Sequence, residues 1–510
     1  MSECHRITGV DETQLRHLAE VMAASARPGD LIGLEGDLGA GKTTFARAFI
    51  RALTGNRDEE IPSPTFTLVQ TYDAPRMPVA HVDLYRLAEA DEIDELGLDA
   101  ALNLGVVLIE WPERGAGTLP AGRITLRISE SASSQTEEHR DILIVGTGLF
   151  APRVSRLIHM LALIQRAGFG AGSVTYLQGD ASPRRYARLA LREDTTALLM
   201  DWPRQPDGPP IRDGLPYSRI AHLAEDVRPF VAIADALRHE GVATPNVLAA
   251  DLDAGLLVIE DFGDRVFGRE LASGADQVTL WEAALDILVH LRSVPAGKEL
   301  AVAGDGHWTL PRYDARAMAI ETELLADWLW PFATGAAMPA RLREDFIGQW
   351  RGVIEDLQRL ATGWTLRDFH SPNLIWRPEA TGLARVGVID FQDAMQGPLA
   401  YDVVSLTQDA RLDVAADIER HLLDRYCSLA AAREPRFDEA QFRFAYAALG
   451  LQRNTKILGI FARLAMRDGK TSYIAHMPRI WGYIDRCLEH PRLGVIQTFY
   501  DAQIRQLARS

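Results

Sequence analysis

The stretch Gly36-Asp37-Leu38-Gly39-Ala40-Gly41-Lys42-Thr43 decides how the first part of this chain is read. It fits the pattern G-x-x-x-x-G-K-[ST], in which glycines let the backbone curl until successive N–H groups and the N-terminus of the next helix face phosphate oxygens. The apolar run Leu31-Ile32-Gly33-Leu34-Glu35 predicts a strand leading in, and residues 44–53 predict a helix leading out, which is the context the pattern requires. Lys42 is the only lysine in the first 297 residues of a chain that otherwise uses arginine. The backbone of Gly36, Asp37, Leu38, Gly39, Ala40, Gly41 and Thr44 is therefore expected around the phosphates of ATP, with Lys42 on the β/γ-phosphates and the Thr43 hydroxyl on Mg²⁺. A glycine-rich turn that only joins strand to helix is the simpler reading, and the full eight-residue match with its flanks counts against it.

Outward from the loop, extended runs are predicted at 65–71, 79–84, 106–111, 123–128 and 141–145, some separated by helical patterns, so the first 148 residues read as a small α/β ATPase. Ile61-Pro62-Ser63-Pro64-Thr65-Phe66 is either a rigid turn or a hydroxyl-bearing loop that senses the γ-phosphate. His81-Val82-Asp83-Leu84-Tyr85-Arg86 ends a strand at Asp83, where a second Mg²⁺ ligand is useful. Val106-Val107-Leu108-Ile109-Glu110-Trp111 is a buried-strand run that stops at Glu110, placed to orient or deprotonate the attacking water or to hold Mg²⁺.

In this order the four segments resemble the small ATPase subunit of the bacterial tRNA threonylcarbamoyladenosine-forming system. The resemblance implies that ATP hydrolysis drives a cycle of a threonylcarbamoyl-transferase heterodimer, with tRNA reached through that partner. It also implies Lys42 on phosphates, Thr43 and Glu110 on Mg²⁺, and Asp83 in support.

The whole chain has 510 residues, enough for two or three domains, with 47% hydrophobic and 24% charged residues, as in soluble globular proteins. A net charge of −16 argues against broad, direct nucleic-acid binding, which needs basic surface. Only Cys4, Cys427 and Cys487 occur, so neither a disulfide framework nor a cysteine zinc site is expected. No run approaches a membrane span, and a cytoplasmic protein is expected. Residues 129–139 read as an exposed loop, and the domain boundary is expected at a linker over 149–154, with a second domain over 155–510 divided into a small lobe (about 170–262) and a large lobe (about 263–510).

That second domain turns on Leu366-Arg367-Asp368-Phe369-His370-Ser371-Pro372-Asn373, followed by Val386-Gly387-Val388-Ile389-Asp390. An Asp, an Asn five residues on, and an Asp closing an apolar strand form a kinase-type set: Asp368 to accept the substrate hydroxyl proton, Asn373 and Asp390 to hold the Mg²⁺ that bridges ATP phosphates. The loop spacing resembles aminoglycoside phosphotransferase-like kinases, and implies a two-lobed α+β domain. Leu256-Leu257-Val258-Ile259-Glu260-Asp261-Phe262-Gly263 resembles the hinge between lobes, so backbone around Glu260 is expected at adenine. Two departures stand out. The histidine usual two residues before the Asp is Leu366, and the small-lobe lysine is absent, leaving Arg184, Arg185 or Arg188 to supply charge with different geometry.

The segment 180–188, Leu199-Met200-Asp201-Trp202-Pro203 and Gln452-Arg453-Asn454-Thr455-Lys456-Ile457-Leu458-Gly459 resemble bacterial kinases that phosphorylate N-acetylmuramate and N-acetylglucosamine at the anomeric hydroxyl, a step in cell-wall recycling. An amino sugar is the substrate this resemblance implies. Trp308, Trp328, Trp330 and Trp350 either stack on that sugar or fill the core. Asp402 is expected to cap a helix or hold the catalytic loop. Three alternatives stay open: a C-terminal half that only binds sugar or nucleotide and regulates, a kinase for another hydroxyl, and an N-terminal half that is a free-standing small-molecule kinase.

Overall fold

The computed structural model describes residues 2–87, 90–115, 117–131, 139–177, 184–304 and 306–509. The chain forms two compact units, one made of 1–203 and 247–261, the other of 204–246 and 262–510.

In the first unit the strand Leu31–Glu35 lies between the parallel strands Val106–Glu110 and Ile124–Glu130, and Val106–Glu110 in turn pairs in parallel with Val79–Asp83. Three of these four strands are buried almost throughout, as a sheet covered on both faces demands. Antiparallel strands Ser2–Val10, Arg140–Thr147 and Val69–Tyr72 extend the sheet to seven. The strand expected at 65–71 is shorter at its start. Pro64 accepts from Leu68 N at 2.7 Å, Leu68 takes a positive φ of 63°, and pairing begins only at Val69. Helix Lys42–Thr54 follows the glycine loop directly. The expected loop at 129–139 joins the antiparallel strands Ile124–Glu130 and Arg140–Thr147, and residues 132–138 of it lie outside the described residues.

The segment expected as a linker at 149–154 holds a short turn, Gly148–Phe150, and the start of helix Ala151–Arg166. Val154, Leu157, Met160, Leu163 and Ile164 of that helix are buried in one core with Ile142 and Ile144 of the first sheet and Leu199 and Val258 of a second. This second sheet is five-stranded and antiparallel, in the order Val247–Asp251, Leu256–Glu260, Thr195–Asp201, Arg185–Arg192, Ser173–Leu177. Charge pins the same helix on both sides: Arg153 donates to Asp30 at 2.6 Å, while Arg156 donates to Asp201 at 3.0 Å and to the Ala254 carbonyl at 2.6 Å. An apolar stripe wide enough to serve two sheets is why the second sheet packs with the N-terminal sheet in one unit.

The second unit is mainly helical. Its longest helix, Glu439–Asp468, is buried through Gln452-Arg453-Asn454-Thr455-Lys456, so these polar side chains bond within the protein rather than to solvent. Of the four tryptophans weighed above, Trp330 and Trp350 are core residues, and Trp308 lies on the hairpin strand Gly306–Thr309 rather than on a helix. Among the described residues no helix is long and apolar enough to cross a membrane.

Candidate active sites

The first site is built by strand ends and one loop. Gly36 has φ 144°, and a Cβ there would stand 2.3 Å from the Ile128 carbonyl oxygen; Gly41, with φ 110°, turns the chain into the helix. Only glycine takes both positions without strain. The loop lies in a cavity of about 400 Å³ that reaches Thr43, Thr44, Ser63, Thr65, Asp83 and Glu110. The Lys42 ammonium donates to the carbonyls of Gly36 (2.6 Å) and Asp37 (2.8 Å) and lies 3.6 Å from the Trp111 ring centroid. Burial pulls its pKa below the ordinary lysine value, against the carboxylates of Glu110, Glu113, Asp83 and Asp37.

Parallel pairing places Asp83 opposite Glu110. Glu110 accepts from the Thr43 hydroxyl at 3.0 Å through one oxygen, and its other oxygen meets His81 Nε2 at 3.0 Å. Asp83 accepts from Ser63 (2.7 Å) and Thr65 (2.9 Å) through one oxygen and from Tyr85 N through the other. The proline segment therefore brings its hydroxyls to the expected acidic residue. His81, fully buried, had no role assigned in the sequence reading; its position two residues before Asp83, on the same face of one strand, is the signal that finds it.

Small-lobe residues are separated by the period of two. Arg185 pairs with Asp201 on the face whose next members, Ala187 and Leu199, are core, and it lines a small cavity with Asp30, Arg153 and Arg156. Arg188 faces the other way and donates to Asp261 at 2.6 Å. Arg184, just before the strand Arg185–Arg192, lies beside Trp202, its guanidinium carbon 5.2 Å from the ring centroid. Glu260 closes the strand Leu256–Glu260, opposite Ala197. Residues 180–183, the start of the segment 180–188, lie outside the described residues.

The second unit assembles Asp368, Asn373 and Asp390. The Asn373 amide donates to the Asp368 carbonyl at 2.9 Å and to the Asp390 carboxylate at 3.3 Å, and Gln392 donates to the other Asp390 oxygen at 2.9 Å. Two residues here carry positive φ, Arg367 at 74° and Asp390 at 61°, conformations that persist only where the surroundings over-determine them. Asp402 does part of that work, accepting from the backbone N–H of Leu366 (2.5 Å) and Arg367 (2.9 Å), and so anchors the loop where Leu366 replaces histidine. Burial raises the Asp402 carboxyl to about 7, against those two hydrogen bonds. Asp409 accepts from Ser371 N at 2.7 Å and holds the other side of the loop.

Behind the loop, Arg367 pairs with fully buried Glu321, which also accepts from Lys456 (3.1 Å), Tyr313 (2.5 Å) and Gln452 (3.0 Å). Burial works against the Glu321 charge, but Lys456 and Arg367 with the two neutral donors more than offset it and hold the carboxyl at about 2. Sequence reading missed Glu321. The available signal is slight, a carboxylate beside Met318, Ile320 and Leu324 in a helix, Ala315–Leu324, that also carries Arg316, Thr322 and Glu323.

The first site offers hydroxyl and carboxylate oxygen and the second amide and carboxylate oxygen, donors suited to Mg²⁺ carried with substrate phosphates, and among the described residues no three His, Cys, Asp or Glu side chains form a closed metal cluster.

Comparison with known proteins gives each half a relative. Residues 10–141 match the family described as threonylcarbamoyl adenosine biosynthesis protein TsaE, and residues 173–444 match the phosphotransferase enzyme family. The chain is 38% identical over 352 residues to an N-acetylmuramate/N-acetylglucosamine kinase of Caulobacter vibrioides, covering 67% of this chain and 95% of that protein. A kinase of the same name from Pseudomonas aeruginosa is 33% identical over 315 residues, covering 60% and 81%. A TsaE protein of Rickettsia prowazekii is 36% identical over 139 residues, covering 27% of this chain and 94% of the relative.

Proposed function

From a chain that belongs to the TsaE family in its N-terminal part and to the phosphotransferase enzyme family in its C-terminal part, we propose a bifunctional enzyme: an ATPase that serves tRNA threonylcarbamoyladenosine formation, joined to an ATP-dependent kinase for the anomeric hydroxyl of N-acetylmuramate and N-acetylglucosamine. The observation that carries the kinase half is the Asn373 amide bridging the Asp368 backbone and the Asp390 carboxylate.

In the kinase, the Asp368 carboxylate accepts the proton of the anomeric hydroxyl as that oxygen bonds to the γ-phosphorus, and the bond from phosphorus to the ADP oxygen breaks. Asn373 and Asp390 are the residues that would hold Mg²⁺. Backbone around Glu260 receives adenine, and Arg184 and Arg188 stand in for the missing lysine; the packed-face position of Arg185 suits a structural role better.

In the ATPase, the loop of residues 36–44 cradles phosphates, Lys42 leaves its two carbonyl partners for the β/γ-phosphates, and Glu110 accepts a proton from the attacking water while His81 fixes its orientation. Thr43, Glu110 and Asp83 would hold Mg²⁺. At both sites the ion would neutralise charge on the phosphate oxygens. The partner of this half is a threonylcarbamoyl-transferase heterodimer, with tRNA reached through it, in the cytoplasm.

The test is product analysis of the full chain with Mg-ATP and each sugar. An acid-labile sugar phosphate supports the kinase, and hydrolysis stimulated by the transferase heterodimer supports the ATPase. Phosphorylation at a hydroxyl other than the anomeric one would overturn the acceptor assignment.

A further inference from the structure

Where the helix Ala151–Arg166 meets the two sheets of the first unit, a cavity of about 40 Å³ is lined by four arginines, Arg27, Arg153, Arg156 and Arg185, and by only two acids, Asp30 and Asp201. Both acids are taken. Asp30 accepts from Arg153 at 2.6 Å and from the Arg27 backbone N–H at 2.9 Å, and Asp201 accepts from Arg156 at 3.0 Å. Arg185 stands opposite Asp201 across the strand pair, yet finds that carboxylate already claimed by Arg156. Among the described residues the guanidiniums of Arg27 and Arg185 have no carboxylate partner, and the Nη1 of Arg185 is buried with nothing to donate to. In a chain of net charge −16 this is a local surplus of two cations, not a share of a general basic surface.

The cations press on one another. Burial, and then Arg185 and Arg153, pull the Arg27 pKa below the ordinary arginine value, against Asp201 and Asp30. Arg185 acts in the same direction on Arg76, whose own guanidinium is spent on the carbonyls of Ala23 (3.1 Å) and Ala24 (3.2 Å) in the last turn of the helix Glu12–Ser25. Like charges gathered in a half-buried pocket cost free energy, and a buried N–H without an acceptor adds to that cost, unless an anion completes the set. The cavity has room for roughly three waters or one tetrahedral oxyanion, and none for a nucleotide. Forked guanidinium donors arriving from separate elements match the oxygens of phosphate, and a dianion balances two unmatched cations.

We propose that this cavity is a phosphate site, with Arg27 and Arg185 as its binding residues and Arg153 and Arg156 as their flanks. It takes a phosphate dianion, either free orthophosphate or the head of a monoester whose body stays outside, past the exposed Arg27. The site is separate from the catalytic chemistry: none of its residues belongs to the loop 36–44 or to the set Asp368, Asn373 and Asp390. A bound phosphate joins the turn before strand Leu31–Glu35 to the strand Arg185–Arg192, and so fastens the second sheet to the first.

The experiment is calorimetric titration of the full chain with orthophosphate, in phosphate-free buffer with Mg²⁺ and a non-hydrolysable ATP analogue occupying the nucleotide sites. The unsubstituted protein is compared with Arg185→Gln, Arg27→Gln and Arg166→Gln, and thermal melting verifies folding. One phosphate should bind per unsubstituted chain. Arg185→Gln and Arg27→Gln should each weaken it about 10–100-fold, the worth of a charge-assisted hydrogen bond or two. Arg166→Gln, on the same helix as Arg153 but outside the cavity, should leave it unchanged. Arg27 is exposed, so its variant should fold even where Arg185→Gln does not. Glucose 1-phosphate separates the two sources: displacement of orthophosphate assigns the site to monoester heads, and its failure to compete assigns the site to the free ion. No saturable binding of either compound, or binding of equal strength in folded Arg27→Gln and Arg185→Gln, overturns the proposal.

Discussion

The two phosphate-handling regions of this molecule present their acidic groups by opposite means. In the N-terminal site Asp83 and Glu110 end adjacent parallel strands and stand opposite each other, so the ladder that builds the sheet also sets the site. In the C-terminal site Asp368 and Asp390 sit on irregular backbone, next to or at positive φ, and are held by side chains that arrive from elsewhere: Asp402, Asp409 and the group of Glu321, Arg367 and Lys456. A strand-end site inherits its precision from register, whereas a loop-built site depends on buried polar supports, each of which is costly to leave unpaired. Substitutions away from the chemistry should therefore hurt the second site more than the first.

The largest effect expected is at the proton acceptor. Asp368→Asn should reduce sugar phosphorylation on the order of 10³-fold with nucleotide binding retained, measured by coupled assay and calorimetry. Lys42→Ala should reduce nucleotide hydrolysis by the N-terminal half by roughly 10²–10³-fold, measured with the transferase partners present. Glu321→Gln sharpens the contrast, because it strands two buried cations behind the catalytic loop. It should destabilise the second unit by about 3–5 kcal/mol, read from its unfolding transition. Acid should act in the same direction. The folded pKa of Glu321, about 2, lies below the ordinary 4.5, so its contribution is complete above 4.5 and is lost as pH falls from 4.5 toward 2. The counterpart at the strand-end site is milder. His81→Asn removes the partner of one Glu110 oxygen and should cost hydrolysis about tenfold, with melting temperature little changed. A His81→Asn protein that unfolds as readily as Glu321→Gln would break the comparison.

How much was legible in the sequence follows the same division. The glycine loop is eight consecutive residues whose chemistry is local, so strand, loop and helix were placed correctly, and Glu110 and Asp83 were found as ends of apolar runs. Asp368, Asn373 and Asp390 were legible from spacing, and the structure brings all three together. Their supports were not, because Glu321 lies 46 residues from Arg367 and nothing local marks the contact. The burial of helix Ala151–Arg166 against two sheets was not legible, because an amphipathic pattern shows that a helix has an apolar face, not how many partners share it. The short start of strand Val69–Tyr72 was missed because two prolines and the positive φ of Leu68 override an extended-looking run.

Two ATP-using sites that perform separate chemistry, although the ATPase half and the small-lobe sheet share one core, are the centre of this account. The most direct measurement is phosphorus NMR of the Lys42→Ala protein incubated with Mg-ATP and N-acetylmuramate. A phosphate bonded to the anomeric carbon, formed at a rate within about twofold of the unsubstituted protein, is the result predicted, since Lys42 belongs to the other site and sites without shared partners act independently. A folded, nucleotide-binding Lys42→Ala protein that forms no sugar phosphate would contradict it.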